Sequence, residues 1–316
     1  LVNIGYETDC PPLEADDAVA CRFVSWLDGR AMYARSQWHT FTGGHWKPDK
    51  NAIERLLKNY VRKLRDDMAD EYAAAIRTGD EGAVKTAARR LRAATSFLNH
   101  RKQQDVLAAA AVILPRDAAT LDRHPDLLCV PNGVVDLKTG LLQQPDPELG
   151  LTMCAGVAYD PSAAAPRFEQ FIGEVFPEPE ISAYLQRWSG YVLSGHMWED
   201  VLAVWYGQGA NGKSVLMDVL AQVLGDYAIS AEPSLLVGKS HAAGAASPDV
   251  ARLAGRRLCY VNESKVGDRL NDGQVKRLVS TEKMTARGLY RDPFDFYPTA
   301  KVVLRTNNKA VGGDSS

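Results

Sequence analysis

The sequence predicts an α/β protein in which a parallel sheet follows a mainly helical N-terminal region with a small β segment. The first observation is the order of parts in residues 201–225, where an apolar run precedes a glycine-rich loop and an amphipathic helix. The second is a pair of apolar runs, 258–261 and 301–305, with the length and composition of buried parallel strands. The third is the helical spacing of apolar residues through most of the first 114 positions.

Composition and charge narrow the class of protein. The chain has 316 residues, of which 46% are hydrophobic and 24% charged, which is typical of soluble globular proteins and predicts about two domains. The net charge of -2 gives no global field that attracts nucleic acid, so such contacts would need local patches. The longest apolar run, 106–114, is too short to cross a bilayer. We therefore expect a cytoplasmic protein with no membrane partner.

Local patterns predict the N-terminal elements. Residues 18–34 are compatible with one helix, and a second helix begins near Asn51 and ends near Gly79. The remaining predictions are a hairpin around Gly43-Gly44, short antiparallel strands between 127 and 142, and helices near 167–175 and 180–193. A polar, glycine-containing break at 194–199 predicts the boundary between an N-terminal domain, 1–195, and a C-terminal domain, 196–316.

The cysteines and histidines do not predict a metal site. The five cysteines are scattered, and no C-x-x-C pair occurs, so neither a zinc site nor a disulfide framework is indicated. His39 and His45 flank the Gly-Gly turn of the predicted hairpin. Without cysteines nearby in the sequence, surface or packing roles are favoured for both over metal binding.

Residues 207–214 match the G-x-x-x-x-G-K-[ST] phosphate-binding motif at every fixed position. Glycines let backbone N–H groups close around phosphate oxygens, and a helix N-terminus adds its positive dipole. Lys213 would reach the β- and γ-phosphates of ATP, and the Ser214 hydroxyl would ligate Mg²⁺. The alternative is a glycine-rich turn with a chance lysine, but strand, loop and helix occur in the order that the motif needs. The predicted nucleotide-binding residues are Gly207, Gln208, Gly209, Ala210, Asn211, Gly212, Lys213, Ser214 and Val215.

Polar residues follow the two further predicted strands. The first strand ends at Asn262-Glu263, where a carboxylate beside the phosphate loop is placed to hold Mg²⁺ through water and to polarise an attacking water. Many such ATPases have two acids here, so Glu263 would carry the role alone. The second strand ends at Thr306-Asn307, where an amide could contact the γ-phosphate, although a simple turn is also compatible. Lys213, Glu263 and Asn307 are therefore the predicted catalytic residues, and Ser214 and Glu263 the predicted metal ligands.

A basic hairpin is predicted between these two strands. Residues 283–298 form two extended arms around 291–293. Arg287, Tyr290 and Arg291 combine cationic and stacking groups, which are the ingredients of single-stranded DNA binding. An ordinary surface hairpin explains the pattern equally well.

The order of parts resembles the superfamily 3 helicases, and most of all the phage/plasmid and poxvirus-type primase–helicase family. The resemblance is carried by 207–214, 248–263, 275–296, 301–308, 131–140 and 159–171. It implies an AAA+-type ATPase core at 196–316, after a collar-like domain, that forms a ring, usually a hexamer, and translocates on single-stranded DNA. It also implies that Glu263 is the Walker B acid and Asn307 the polar sensor, and that Lys276, Arg287 and Arg291 belong to the DNA-facing hairpin segment.

The implied function is that of an ATP-dependent DNA helicase or translocase of a phage or mobile-element replication system, acting with a primase or other replication proteins. The family's arginine finger follows the sensor strand, and the chain stops at Ser316, so we expect a fragment with weak hydrolysis. We find no primase module within these residues, so the resemblance does not assign priming to them. A non-catalytic, ATP-stabilised assembly module and a nucleotide or small-molecule kinase are the alternatives.

Overall fold

The computed structural model describes residues 15–237, 247–262, 269–289 and 291–307. The chain divides into two compact units. The first comprises the residues up to Phe41 and Lys47–Asp117, and the second comprises Thr42–Trp46 and the residues from Ala118 onward. The chain thus passes from the first unit to the second near residue 117. The domain boundary expected at residue 195 stays a prediction.

The N-terminal part of the chain is mainly helical. Its elements are α1 (Asp16–Leu27), β1 (Ala31–Ala34), β2 (Gln37–Thr42), β3 (His45–Pro48), α2 (Lys50–Thr78), α3 (Glu81–Ser96) and α4 (His100–Ile113). The single helix predicted over 18–34 is wrong, because α1 ends at Leu27. Asp28 and Gly29 then take left-handed conformations, with φ of 48° and 72°, and the chain continues as a strand. The hairpin around Gly43-Gly44 is confirmed.

Helix α2 shows how local sequence defines an element. The Asp49 side chain accepts a hydrogen bond from the Ala52 amide at 2.8 Å, which caps the helix N-terminus. Gly79, with φ of 72°, ends the helix in the left-handed conformation that glycine tolerates. The predicted bounds near Asn51 and Gly79 are confirmed. The apolar face of α2 packs into the core of the first unit through Ile53, Leu57, Tyr60, Val61 and Leu64.

The second unit contains a small antiparallel sheet, a parallel sheet and the helices that cover it. Its elements are β4 (Leu127–Val130), β5 (Gly133–Asp136), β6 (Leu141–Gln143), α5 (Pro166–Val175), α6 (Pro179–Leu193), β7 (Ala203–Tyr206), α7 (Lys213–Leu224), β8 (Ala228–Ala231), α8 (Pro248–Ala251), β9 (Leu258–Asn262), α9 (Asp272–Val279), β10 (Met284–Ala286), β11 (Phe294–Phe296) and β12 (Lys301–Thr306). The short antiparallel strands and the two helices that precede the parallel sheet were predicted and are confirmed.

The parallel sheet has the strand order β7-β12-β9-β8, and all its neighbouring pairs are parallel. Val303 on β12 lies opposite Ala203 on β7 and Tyr260 on β9. The prediction of a mixed α/β protein with a parallel sheet is therefore confirmed. Among the described residues, no helix combines the length and the hydropathy that crossing a membrane requires.

The two faces of the sheet are covered by different elements. Val302 and Leu304 point to one face, where they share a core with Met284 and Phe296 of the β10–β11 hairpin. Val303, between them, points to the opposite core, which contains residues of α6 and α7. Alternation along β12 thus anchors the base of the hairpin and the helix α7 to opposite sides of one sheet.

Strand β7 departs from the prediction in its burial. The sequence predicted a buried strand, but Val204 is 44% exposed and Tyr206 is 51% exposed. The reason is its position, because within the described residues β7 is the outermost strand of the parallel sheet.

Candidate functional site

The glycine-rich loop, residues 207–214, connects the end of β7 to the start of α7. Gly212 lies at the N-cap of α7 with φ of 82°, and a Cβ atom there would lie 2.8 Å from a methyl group of Val175. Because Gly212 has no side chain, the N-cap residue of α7 offers no side-chain acceptor to the first amides of the helix. The loop therefore presents a helix N-terminus, which is an electropositive feature suited to an anion.

Three parallel strands end beside this loop. Tyr206 at the end of β7 pairs with Thr306 on β12, and Asn262 at the end of β9 pairs with Arg305. The Gly207 amide donates a hydrogen bond to the Thr306 carbonyl at 3.3 Å, which ties the start of the loop to the end of β12. The structure thus brings together the strand ends that the sequence had singled out.

A cavity of about 320 Å³ opens at this edge of the sheet. It is lined by residues 209–215 of the loop and α7, by Asn262, and by Arg305, Thr306 and Asn307 at the end of β12. The predicted sensor, Asn307, therefore shares one cavity with the glycine-rich loop. Glu263, the predicted acid, lies outside the described residues.

Lys213 is held by the loop itself. Its Nζ donates hydrogen bonds to the carbonyl oxygens of Gly207 at 2.5 Å and Gln208 at 3.1 Å, and to Oδ1 of Asn211 at 2.9 Å. An ammonium group has three donors, and these three acceptors all belong to the loop. A phosphate that reached Nζ would therefore have to replace one or more of these hydrogen bonds. Gly207 and Gln208 are not among the described lining residues of the cavity, and their carbonyl oxygens instead hold the Lys213 side chain.

Arg305 is a site residue that the sequence analysis missed. Its Nη2 donates to Oδ1 of Asn262 at 2.6 Å, and its Nη1 is buried without a hydrogen-bond partner among the described residues. A guanidinium directly after the apolar run 302–304 was the available signal, because a charge placed there needs an anionic partner or water. The structure shows that Arg305 faces the same cavity as Lys213.

The charges of the cavity fit a polyanion. Lys213 and Arg305 contribute two cations, and no acidic side chain occurs among the described lining residues. The amides at the start of α7 add further donors. This combination of cations and amides suits a polyanionic ligand better than a neutral or cationic one.

The predicted basic hairpin is present. Strands β10 and β11 are antiparallel, with Ala286 opposite Phe294, so the connecting loop spans 287–293. Arg287 and Arg291 are exposed on this loop. Tyr290, the predicted stacking residue, lies outside the described residues. Lys276 was expected in the hairpin segment, but the structure places it on the exposed surface of α9, which precedes the first arm.

Two family models match different parts of the chain. A family model described as D5 N terminal like matches residues 20–177, which is half of the chain. The chain belongs to the D5 N-terminal-like family. In this D5-like chain, a second model, described as a family of unknown function, matches residues 205–316 and so includes the glycine-rich loop.

Relatives of the D5-like chain come from viruses. A protein of Acanthamoeba polyphaga mimivirus named a "putative helicase" is 31% identical over 197 residues, which cover 61% of this chain and 20% of that protein. A protein of African swine fever virus named a "putative primase" is also 31% identical over 197 residues, covering 60% and 20% of the two chains. The D5-like chain thus spans a fifth of the length of these relatives. The resemblance to the primase–helicase family is confirmed.

One solved structure described as the apo form of the NrS-1 C-terminal region is also similar to the D5-like chain. It is 12% identical, covers 48% of this chain and 35% of the NrS-1 chain, and has a TM-score of 0.39.

Proposed function

We propose that the chain is the ATP-binding part of a DNA helicase or translocase, with a phosphate-loop ATPase core of the AAA+ type. The observation that carries this proposal is the cavity where the glycine-rich loop meets Asn262, Arg305 and Asn307 at the ends of two neighbouring strands. In open α/β sheets, ligands bind outside the carboxyl ends of the strands. The names of the viral relatives, helicase and primase, favour a DNA motor over other users of a phosphate loop.

In this proposal the chain's own groups hold and orient ATP–Mg²⁺. The N-terminal amides of α7 and the Lys213 ammonium bind the phosphates, and the Ser214 hydroxyl, with Glu263, ligates the metal. Asn307 at the cavity wall reports whether the γ-phosphate is intact, and Glu263 orients water. The bound nucleotide supplies the phosphoanhydride bond whose hydrolysis drives movement.

The same proposal assigns DNA binding to the β10–β11 hairpin. Arg287 and Arg291 are exposed on its loop, and its base is anchored to the sheet whose edge carries the cavity. A change at the strand ends therefore has a short path through one core to the hairpin. Tyr290 would add stacking and Lys276 a phosphate contact from α9. The partners are single-stranded DNA, further copies of the chain in a ring such as a hexamer, and a primase or other replication protein.

The first test is the change Lys213→Ala. It removes the ammonium that contacts the phosphates, so ATP binding and phosphate release should fall to background. Lys58→Ala, which removes an exposed lysine from α2, is the matched control and should leave both unchanged. ATP turnover in Lys213→Ala equal to that of the unchanged chain would exclude this cavity as the ATPase site.

The alternative functions have separate outcomes. Phosphate release that single-stranded DNA stimulates supports the motor, whereas release that responds only to a small-molecule acceptor indicates a kinase. ATP-dependent assembly seen by light scattering without any phosphate release indicates a non-catalytic module.

The second test removes two charges from the hairpin loop through Arg287→Gln and Arg291→Gln together. Single-stranded DNA binding should weaken, and the slope of log K against log salt should fall by about 1.4, because each phosphate contact contributes about 0.7. ATP binding should not change, because neither residue lines the cavity. An unchanged salt slope would show that the hairpin does not contact DNA.

A further inference from the structure

Three side chains with metal-binding atoms meet in the second unit, away from the glycine-rich loop. They are His45 on β3, Cys129 on β4, and Cys154 in the segment before α5. Their ring nitrogen and sulfur atoms all lie within 4.8 Å of one another. His45 is 2% exposed, Cys129 is fully buried and Cys154 is 8% exposed. We call this group the His–Cys cluster.

The orientation of the His45 ring is that of a histidine that binds a metal ion. Its Nδ1 lies 3.3 Å from the carbonyl oxygen of Gly43, and this contact assigns the ring proton to Nδ1. The other ring nitrogen, Nε2, is buried without a hydrogen-bond partner among the described residues, and in the neutral ring its lone pair is available to a metal ion. Metal-binding histidines commonly donate their second ring N–H to a backbone carbonyl in this way.

The carboxylate of Asp226 lies next to the His–Cys cluster. Oδ2 of Asp226 lies 3.6 Å from Nε2 of His45, which is too long for a hydrogen bond. The same oxygen accepts a hydrogen bond from the Cys154 amide at 3.3 Å. The Asp226 side chain is 52% exposed, whereas that of His45 is 2% exposed. Asp226 therefore connects the buried sulfur and nitrogen atoms to solvent and offers an entry path for an ion.

The donor atoms of the cluster are those that structural zinc sites combine. Cysteine sulfur and imidazole nitrogen are the usual ligands of zinc, and a carboxylate oxygen also ligates it. A bound ion would replace the protons of the thiols, because cysteine binds a metal as the thiolate.

We propose that His45, Cys129 and Cys154 bind a thiophilic divalent metal ion of the zinc type, with Asp226 as the fourth ligand. Tetrahedral zinc with bonds of about 2.3 Å to sulfur and about 2.0 Å to nitrogen separates its ligand atoms by about 3.6–3.8 Å. The cluster therefore needs a contraction of at most about 1 Å to close around such an ion.

The site is structural in this proposal. It joins four parts of the second unit, namely the tip of the β2–β3 hairpin, strand β4, the segment before α5 and the turn that follows α7. Because the ligands come together only when these parts are folded, metal binding stabilises the fold. The sequence analysis missed the site because the cysteines nearest to His45 in space are far from it along the chain.

The test is metal binding by the 316-residue chain. After exposure to Zn²⁺ and dialysis, elemental analysis should find one retained Zn²⁺ per chain. Titration with Co²⁺ should produce thiolate-to-cobalt charge-transfer absorption that saturates at one equivalent. Cys129→Ser and Cys154→Ser should each abolish this band and weaken Zn²⁺ binding at least tenfold, whereas Cys21→Ser, on α1, should not change it. A band that survives both cluster variants would overturn the proposal.

A second measurement does not depend on whether the serine variants fold. A chelator should lower the melting temperature of the unchanged chain, and added Zn²⁺ should restore it. Asp226→Asn keeps both sulfurs and the imidazole, so it should keep the charge-transfer band while binding Zn²⁺ more weakly. The proposal is wrong if the unchanged chain shows no Co²⁺ band, no retained Zn²⁺ and no chelator effect, or if mass spectrometry finds Cys129 and Cys154 joined as a disulfide in metal-treated protein.

Discussion

Arg305 gives the sharpest test of the cavity as a triphosphate site. Arg305 lines the cavity, and its Nη2 is bonded to Asn262 at 2.6 Å. Its Nη1 is buried without a hydrogen-bond partner among the described residues. A phosphate bound in the cavity would offer acceptor oxygens to the guanidinium. We therefore expect Arg305→Gln to weaken nucleotide binding although Arg305 belongs to no motif.

The magnitude follows from the type of bond. A hydrogen bond that involves a charged group contributes about 1.5–3 kcal/mol, which corresponds to a Kd about 10- to 150-fold higher for ATP–Mg²⁺. Folding should respond differently. Asn262 is exposed, so water can replace the lost bond, and the variant no longer buries an unpartnered donor. The free energy of unfolding should therefore change by less than about 1 kcal/mol.

The assay is calorimetric or fluorescence titration of the chain with ATP–Mg²⁺, with urea unfolding measured in parallel. Arg277→Gln is the matched control, because Arg277 has the same charge and lies on α9 outside the cavity, where its Nη2 donates to the Thr285 carbonyl at 3.1 Å. Its Kd should change less than twofold. If Arg305→Gln and Arg277→Gln alter the Kd equally, or if Arg305→Gln alters it less than threefold, the assignment of Arg305 to the ligand is refuted.

Two further predictions concern stability. Gly225→Ala should destabilise the chain by at least about 2 kcal/mol, because φ at Gly225 is 54° and the added Cβ would lie 2.8 Å from the Ala155 carbonyl carbon. The control is Gly190→Ala, on α6 with open space around it, which should be neutral or stabilising. Equal melting temperatures for the two variants would contradict the prediction. Burial and the charge of Arg257 lower the pKa of Lys301 to about 6. Between about pH 6 and about pH 10.4 the unfolded chain therefore binds more protons at Lys301 than the folded chain does, and the free energy of unfolding rises with pH. Lys301→Met should remove about 2–3 kcal/mol of the rise between pH 7 and 9, and urea unfolding curves with the same pH dependence in both proteins would show that Lys301 is charged in the folded chain.

Much of the local structure could be predicted because neighbouring residues encode it. The cap and the left-handed glycine of α2, the Gly43-Gly44 hairpin and the antiparallel arms around the basic loop all follow from spacing and turn chemistry. The errors also have local causes. The helix predicted over 18–34 failed because left-handed backbone at Asp28 ends α1 and the chain re-forms as β1. Lys276 has a different cause, because the resemblance to the family assigned it to the hairpin segment, whereas the structure places it on α9.

The sequence by itself determined the glycine-rich loop, the apolar strands beside it and the polar residues at their ends, because each is written in a short stretch of chain. Only the tertiary structure decided that Arg305 faces the loop, that β7 is partly exposed, and that His45 meets two cysteines. Strand order and the packing of distant segments set these neighbours. Contacts of that kind depend on which parts of the chain pack together, and spacing along the sequence does not contain that information.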